Sequence, residues 1–224
     1  MPVTRLYLVR HGGTRLAAED RFSGAAGVDL TDDGRRQATR LGARLRDVAF
    51  DAIYSSPLER AVQTTELVRA ELAQPREISY CDEMREIGHG HWEGMTPAEV
   101  VARYPAEHAA WESDPLTVAP VGGESGAQVL ARALPALREI VTRHAGGRVL
   151  VVSHKATIRL VVASLLGMDP RHYRTRLDQS PSALNLLDFA EPARAKLLLY
   201  NDTSHDERAE DDSDAAARAP SSTP

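Results

Sequence analysis

Cysteine and lysine are scarce in this sequence: Cys81 stands alone, and only Lys155 and Lys196 among 27 basic residues are lysines. One cysteine cannot close an internal disulfide, which sets aside the disulfide-stapled secreted domains. No charged start followed by an apolar stretch marks a secretory leader, and no apolar run reaches the roughly 18 residues needed to cross a bilayer. The expected setting is the cytoplasm, without membrane insertion. Basic runs with interleaved aromatics are also missing, and aromatics make up only 5% of the chain, which argues against nucleic acid as the main partner. The near-replacement of lysine by arginine reads as a compositional bias rather than a function.

What is present fits one folded domain. The chain has 224 residues, 42% hydrophobic and 26% charged, enough for a full-sized α/β domain and short for two. Its net charge of −5 is uneven: residues 202–224 hold seven acids against Arg208 and Arg218. Taking these from the 32 acids and 27 bases leaves 25 of each, so the body is neutral. The domain is expected over 1–203. Residues 204–224, rich in Ala, Ser, Asp and Pro, hold too few apolar residues to order themselves and read as a flexible acidic tail.

Along the body, strand and helix signals alternate. Val3–Val9 reads as a short buried strand, with Arg10 and His11 at its carboxyl end. Thr31 followed by Asp32 and Asp33 opens a helix expected to run to about Asp47. Asp51–Tyr54 is a second strand, and Pro57 introduces a helix over Leu58–Leu72 with Arg60 in its first turn. Periodicity weakens over 81–121, read as a lid or insertion. A helix is expected over Gly126–Arg143 with a possible kink at Pro135, then a strand over Arg148–Val152, His154 at its end, and a helix over Ala156–Leu166. Leu184–Phe189 and Lys196–Tyr200 form a closing strand pair. This alternation predicts a three-layer α/β/α sandwich with a mainly parallel central sheet, whose sites gather beyond strand carboxyl ends.

Three strand-to-helix junctions carry residues suited to a phosphate: Arg10 with His11, Arg60, and His154. A guanidinium is a planar fork of donors matching phosphate oxygens, a neutral imidazole can attack phosphorus, and a protonated one can hold charge on the oxygens. The two histidine roles call for opposite protonation states. Fixed arginines and helix amino termini can replace a metal in neutralising a transferring phosphoryl group.

The segment Leu8-Val9-Arg10-His11-Gly12-Gly13-Thr14 resembles the Arg-His-Gly-x-Thr signature of the histidine phosphatase superfamily, in its phosphoglycerate mutase-like branch. Four further segments resemble that family in order: Ser55–Thr64 around Arg60, Arg85-Glu86-Ile87-Gly88 with Trp92-Glu93-Gly94, Gly122–Ser125, and Val151–His154. The likeness covers residues 3–200, and five ordered segments are far more specific than one triplet. It implies a phosphomonoesterase in which His11 is the nucleophile forming a phosphohistidine. Arg10 and Arg60 would bind the phosphoryl oxygens, His154 would stabilise the transferring group, and Glu86 would be the proton donor and later the base. The implied substrate is a small phosphorylated metabolite, with no cofactor and no metal. Ser23 and Gly24 match a segment that touches substrate in related mutases, and Lys155 is placed to meet a second anionic group.

The chain departs from the pattern at Gly13, at Ala17, where many members carry an asparagine, and at Lys155, which replaces a common glycine. Two alternatives stay open: a cofactor-dependent phosphoglycerate mutase and a catalytically silent phospholigand-binding module. Pro115–Val121 is short and holds no Arg or Lys, unlike the basic insertion of the mutases, which favours hydrolysis. His89 and His91 raise a metal reading, but no nearby acid or cysteine pattern completes a ligand set. The oligomeric state is not legible.

Overall fold

A computed structural model describes residues 2–206. In chain order these form β1 (Thr4–Arg10), α1 (Arg15–Ala18), α2 (Asp32–Arg44), β2 (Ala52–Ser55), α3 (Glu59–Glu71), β3 (Ile78–Tyr80), α4 (Pro97–Arg103) and α5 (Pro105–Ser113). There follow α6 (Gly126–Arg143), β4 (Arg148–Ser153), α7 (Lys155–Leu165), α8 (Tyr173–Arg176), β5 (Leu184–Glu191) and β6 (Arg194–Asp202). The sheet order is β3-β2-β4-β1-β5-β6. The first four strands are mutually parallel, and β5 and β6 close one edge as an antiparallel pair.

The apolar runs of β1 and β4 are explained by burial on both faces. Leu6 and Leu8 of β1, with Val149 and Val151 of β4, pack on one side against Leu137 of α6 and Val161 of α7. The intervening Tyr7 and Val9, with Leu150 and Val152, pack on the other side against Leu41 of α2 and Val68 of α3. The result is the expected three-layer sandwich, with the sheet between two helical layers.

Local signals set most element ends. Thr31 caps α2 through its side chain, which accepts from the Gly34 N–H at 3.0 Å. This helix stops at Arg44 rather than near Asp47, because the Leu45 N–H is shared between the Leu41 and Gly42 carbonyls and the chain tightens into a turn. Ser125 and Gln128 form a capping box at the start of α6, which runs unbroken through Pro135 for 18 residues. β3 was not foreseen: three residues with half-exposed or exposed side chains give no periodicity to read. Residues 81–121 hold two 3₁₀ turns, α4 and α5, arranged around a small core of Trp92, Val100 and Trp111 that also takes in Phe22.

The expected flexible tail starts too early by at least three residues. Ser204–Asp206 make a helical turn in which His205 is buried. Arg40 pairs with Asp206 at 2.6 Å, while Arg44 pairs with Asp202 at 2.5 Å and donates to Ser204. The rest of that segment, 207–224, lies outside the described residues.

Candidate active site

Register brings the two histidines together. Arg10 of β1 stands opposite Ser153 of the adjacent parallel strand β4, so His11 and His154 leave neighbouring strands side by side. The His11 N–H donates to the Ser153 carbonyl at 3.0 Å, and the two rings lie 5.1 Å apart, centroid to centroid. β2 flanks β4 on its other side, and the Ser56 N–H continues that ladder to the Val152 carbonyl at 3.0 Å. Arg60 follows in the first turn of α3.

The partners of His11 fix its tautomer. Nδ1 faces the Gly12 carbonyl at 2.7 Å, which can only accept, so Nδ1 carries the proton. Arg60 Nε, which can only donate, stands 3.2 Å from Nε2, leaving Nε2 with its lone pair. Gly12 is required by close approach: a Cβ there would lie 2.4 Å from the Gly34 carbonyl oxygen. Its N–H donates to Thr64 Oγ1 on α3 at 3.0 Å, locking the loop to the helix that carries Arg60. Arg60 is anchored in turn by the Gly24 and Ala26 carbonyls, at 2.7 and 3.0 Å. Gly24 has φ 46°, and the Glu93 carboxylate occupies the space a Cβ would need.

Both histidines are buried, His154 completely. Burial and the positive charges of Arg10 and Arg60 hold both imidazoles well below their ordinary pKa. This corrects the expected opposition of protonation states: both rings are neutral at neutral pH. His154 can still be a donor without a charge. Its Nε2 is 2.7 Å from Ser56 Oγ, which also accepts from the Leu58 N–H at 3.3 Å. Its Nδ1 is buried without a partner. Arg10 is buried as well; burial lowers its pKa to about 10, and it donates to the Gln179 carbonyl at 2.6 Å.

Glu86 is seated on the amino terminus of α7. Its Oε2 accepts from the Ala156 N–H at 3.2 Å and its Oε1 from the Thr157 and Ile87 N–H groups at 3.2 and 3.0 Å. Its loop is clamped from behind by Arg132 of α6, which donates to the Arg85 and Glu86 carbonyls at 3.0 and 3.1 Å and to both oxygens of Glu124 at 2.9 Å. Glu124 completes the clamp by accepting from the Gly88 N–H at 3.0 Å.

These groups open onto a cleft of about 210 Å³. Arg10, His11, Arg60, Glu86, Ser23, Gly24 and Lys155 all line it, as do Phe22, His89 and Trp111. His154 does not: it stands behind His11, in ring contact with it. His89 and His91 diverge, His89 packing between Phe22 and Trp111 and His91 stacking on Tyr104 while facing Glu107 at 2.9 Å.

The family model of the histidine phosphatase superfamily (branch 1) matches residues 6–203. The chain belongs to that superfamily. As a histidine phosphatase it is a phosphoric monoester hydrolase. Phosphoserine phosphatase 1 of Hydrogenobacter thermophilus is 37% identical over 169 residues, covering 75% of this chain and 78% of that protein. Glucosyl-3-phosphoglycerate phosphatase of Mycolicibacterium vanbaalenii is 38% identical over 175 residues, covering 75% and 76%. Among solved structures, Bacillus stearothermophilus YhfR superposes with a TM-score of 0.82 at 34% identity, covering 90% of this chain and 98% of that one. Some mycobacterial relatives are longer, and this chain spans 55% of their length.

Within this histidine phosphatase, sequence reasoning missed several cleft residues, Arg159, Tyr173 and Arg174 among them. Arg174 lies 3.9 Å over the Trp111 ring and pairs with Glu112 at 2.6 Å, which ties α8 to α5 beside the cleft. Spacing offered one clue to Arg159: it stands four residues after Lys155 on α7 and so shares its face. Ser23 and Gly24 do reach the cleft, yet the Gly24 carbonyl is used to accept from Arg60. Lys155 faces Asp178 at 3.8 Å, and burial lowers its pKa.

Proposed function

We propose that this protein hydrolyses small phosphate monoesters in two steps through a phosphohistidine on His11, with no metal. The carrying observation is the unprotonated Nε2 of His11 at the cleft floor, held against Arg60 with its other nitrogen tied to Gly12. In the first step Arg10 and Arg60 draw the phosphoryl oxygens over His11, and Nε2 attacks phosphorus. The phosphorus–oxygen bond to the alcohol breaks, and protonated Glu86 gives its proton to the departing oxygen. His154, in ring contact with His11, supports the attacking imidazole from behind. In the second step Glu86, now a carboxylate, takes a proton from water as the water oxygen attacks phosphorus; His11 leaves with its lone pair and phosphate is released. The named relatives, phosphatases of phosphoserine and of glucosyl-3-phosphoglycerate, support a small phosphorylated metabolite as substrate. Lid segment 115–121, free of Arg and Lys, supports water over a second substrate hydroxyl as acceptor.

The test is release of p-nitrophenol from p-nitrophenyl phosphate with chelator present, in the protein and in His11→Ala. Turnover insensitive to chelator and lost in His11→Ala is expected. Turnover that needs added metal, or that survives in His11→Ala near the normal rate, refutes the mechanism.

A further inference from the structure

We propose that Arg159 forms a second anion subsite of the cleft and selects phosphate monoesters that also carry a carboxylate. This rests on the phosphatase reading and names its substrate class. Three of the six cations lining the cleft have an acid of their own: Arg21 pairs with Glu19 and Glu99, Arg174 with Glu112, and Lys155 with Asp178. Among the described residues, Arg10, Arg60 and Arg159 have none in ion-pair contact. Two guanidiniums match the two charges of a phosphate dianion, and the third is left over. No carboxylate among the described residues is in ion-pair contact with Arg159; the Glu86 oxygens accept from the N–H groups of Ile87, Ala156 and Thr157 instead.

Arg159 is fixed in place for such a role. It is 9% exposed, its guanidinium lies 5.1 Å from the Tyr173 ring centre, and Nη1 donates to the Leu177 carbonyl at 3.3 Å. Its Nε has no acceptor. A buried cation without a counter-charge is costly to the fold, and burial accordingly lowers its pKa. A ligand anion relieves that cost. The planar fork of a guanidinium fits a carboxylate, which would supply the ion-pair partner that Arg159 lacks.

O-phosphoserine and O-phosphoethanolamine differ only in the carboxylate, and comparing them isolates the subsite. The intact protein is expected to favour phosphoserine in kcat/KM by roughly 10- to 100-fold, the range for a charged hydrogen bond. Arg159→Gln should erase that preference through KM, with a loss on p-nitrophenyl phosphate about tenfold smaller than on phosphoserine; Arg159→Lys should restore part of it. Calorimetric binding of both esters separates the two readings. Tighter binding of phosphoserine without turnover of any ester sinks the phosphatase and leaves the subsite standing. Turnover of both esters with equal kcat/KM, or equal losses on all three substrates in Arg159→Gln, overturns the subsite.

Discussion

Lowering the pH from 6 to 5 puts the buried histidines under direct test. His11, His154 and His89 are all held neutral in the folded protein, the first two well below the ordinary value and His89 at about 4. In the unfolded chain each titrates near 6.5, so below that pH the unfolded state binds more protons and stability falls as pH falls. The loss sets in at the unfolded value and continues down to each folded one. Each histidine contributes up to about 1.4 kcal/mol per pH unit; between pH 6 and 5, where the unfolded ring is largely protonated, this comes to roughly 1.2 kcal/mol each and about 3–4 kcal/mol for the three. Carboxylates held low by arginines, Glu124 and Asp188 among them, act in the same direction. Their unfolded values near 4 keep that contribution below this window. His205, also buried and with its pKa lowered by burial, adds to the slope; urea unfolding at half-unit steps from pH 7 to 5 measures it, and His11→Gln or His89→Phe should each remove roughly 1.2 kcal/mol of the change between pH 6 and 5. A stability that stays flat from pH 6.5 to 5, or a slope untouched by these substitutions, refutes the claim that the rings are buried and neutral.

Removing the clamp behind Glu86 should affect chemistry through position. Arg132→Met takes away the donors to Glu124 and to the Arg85 and Glu86 carbonyls; an unfolding loss of about 2–4 kcal/mol is expected, and kcat for alkyl phosphates should fall more than for p-nitrophenyl phosphate. Equal losses on both would mean that Arg132 is structural only. In Glu86→Gln the same comparison should be sharper, because the aryl oxygen leaves without a proton and the alkyl oxygen does not; a kcat ratio unchanged from the parent would remove Glu86 as the acid. Gly12→Ala must push the His11 loop away from the Gly34 carbonyl, costing about 1–3 kcal/mol, and lower kcat with it; thermal melting at an unchanged temperature would contradict the observed packing.

The strand ends bearing Arg10, His11 and His154 were legible because apolar runs buried on both faces stop abruptly at charged residues. Their adjacency was not, since it depends on β1 pairing with β4 across more than a hundred residues, which no local pattern encodes. The seat of Glu86 on the amino terminus of α7 was hidden for the same reason. Arg159 escaped notice because an arginine on a helix face reads as solvated; only the packing of Tyr173 beneath it shows otherwise. The protonation of the histidines was misjudged because depth of burial and the sum of neighbouring charges are properties of the assembled fold. Ser204–Asp206 looked like tail by composition, and two arginines spaced one helical turn apart on α2 hold them down.

The cleft is divided by origin. His11 sits at its floor on the end of a central strand, whereas Phe22, His89, Trp111 and Arg174 reach its rim from separate surface segments. The floor is tied to the sheet, while the rim residues pack on one another, Phe22 and His89 against Trp111 and Arg174 over its ring. Retargeting this enzyme to a new alcohol would therefore be a matter of exchanging the rim as one interlocked unit, with the strand ends left as inherited.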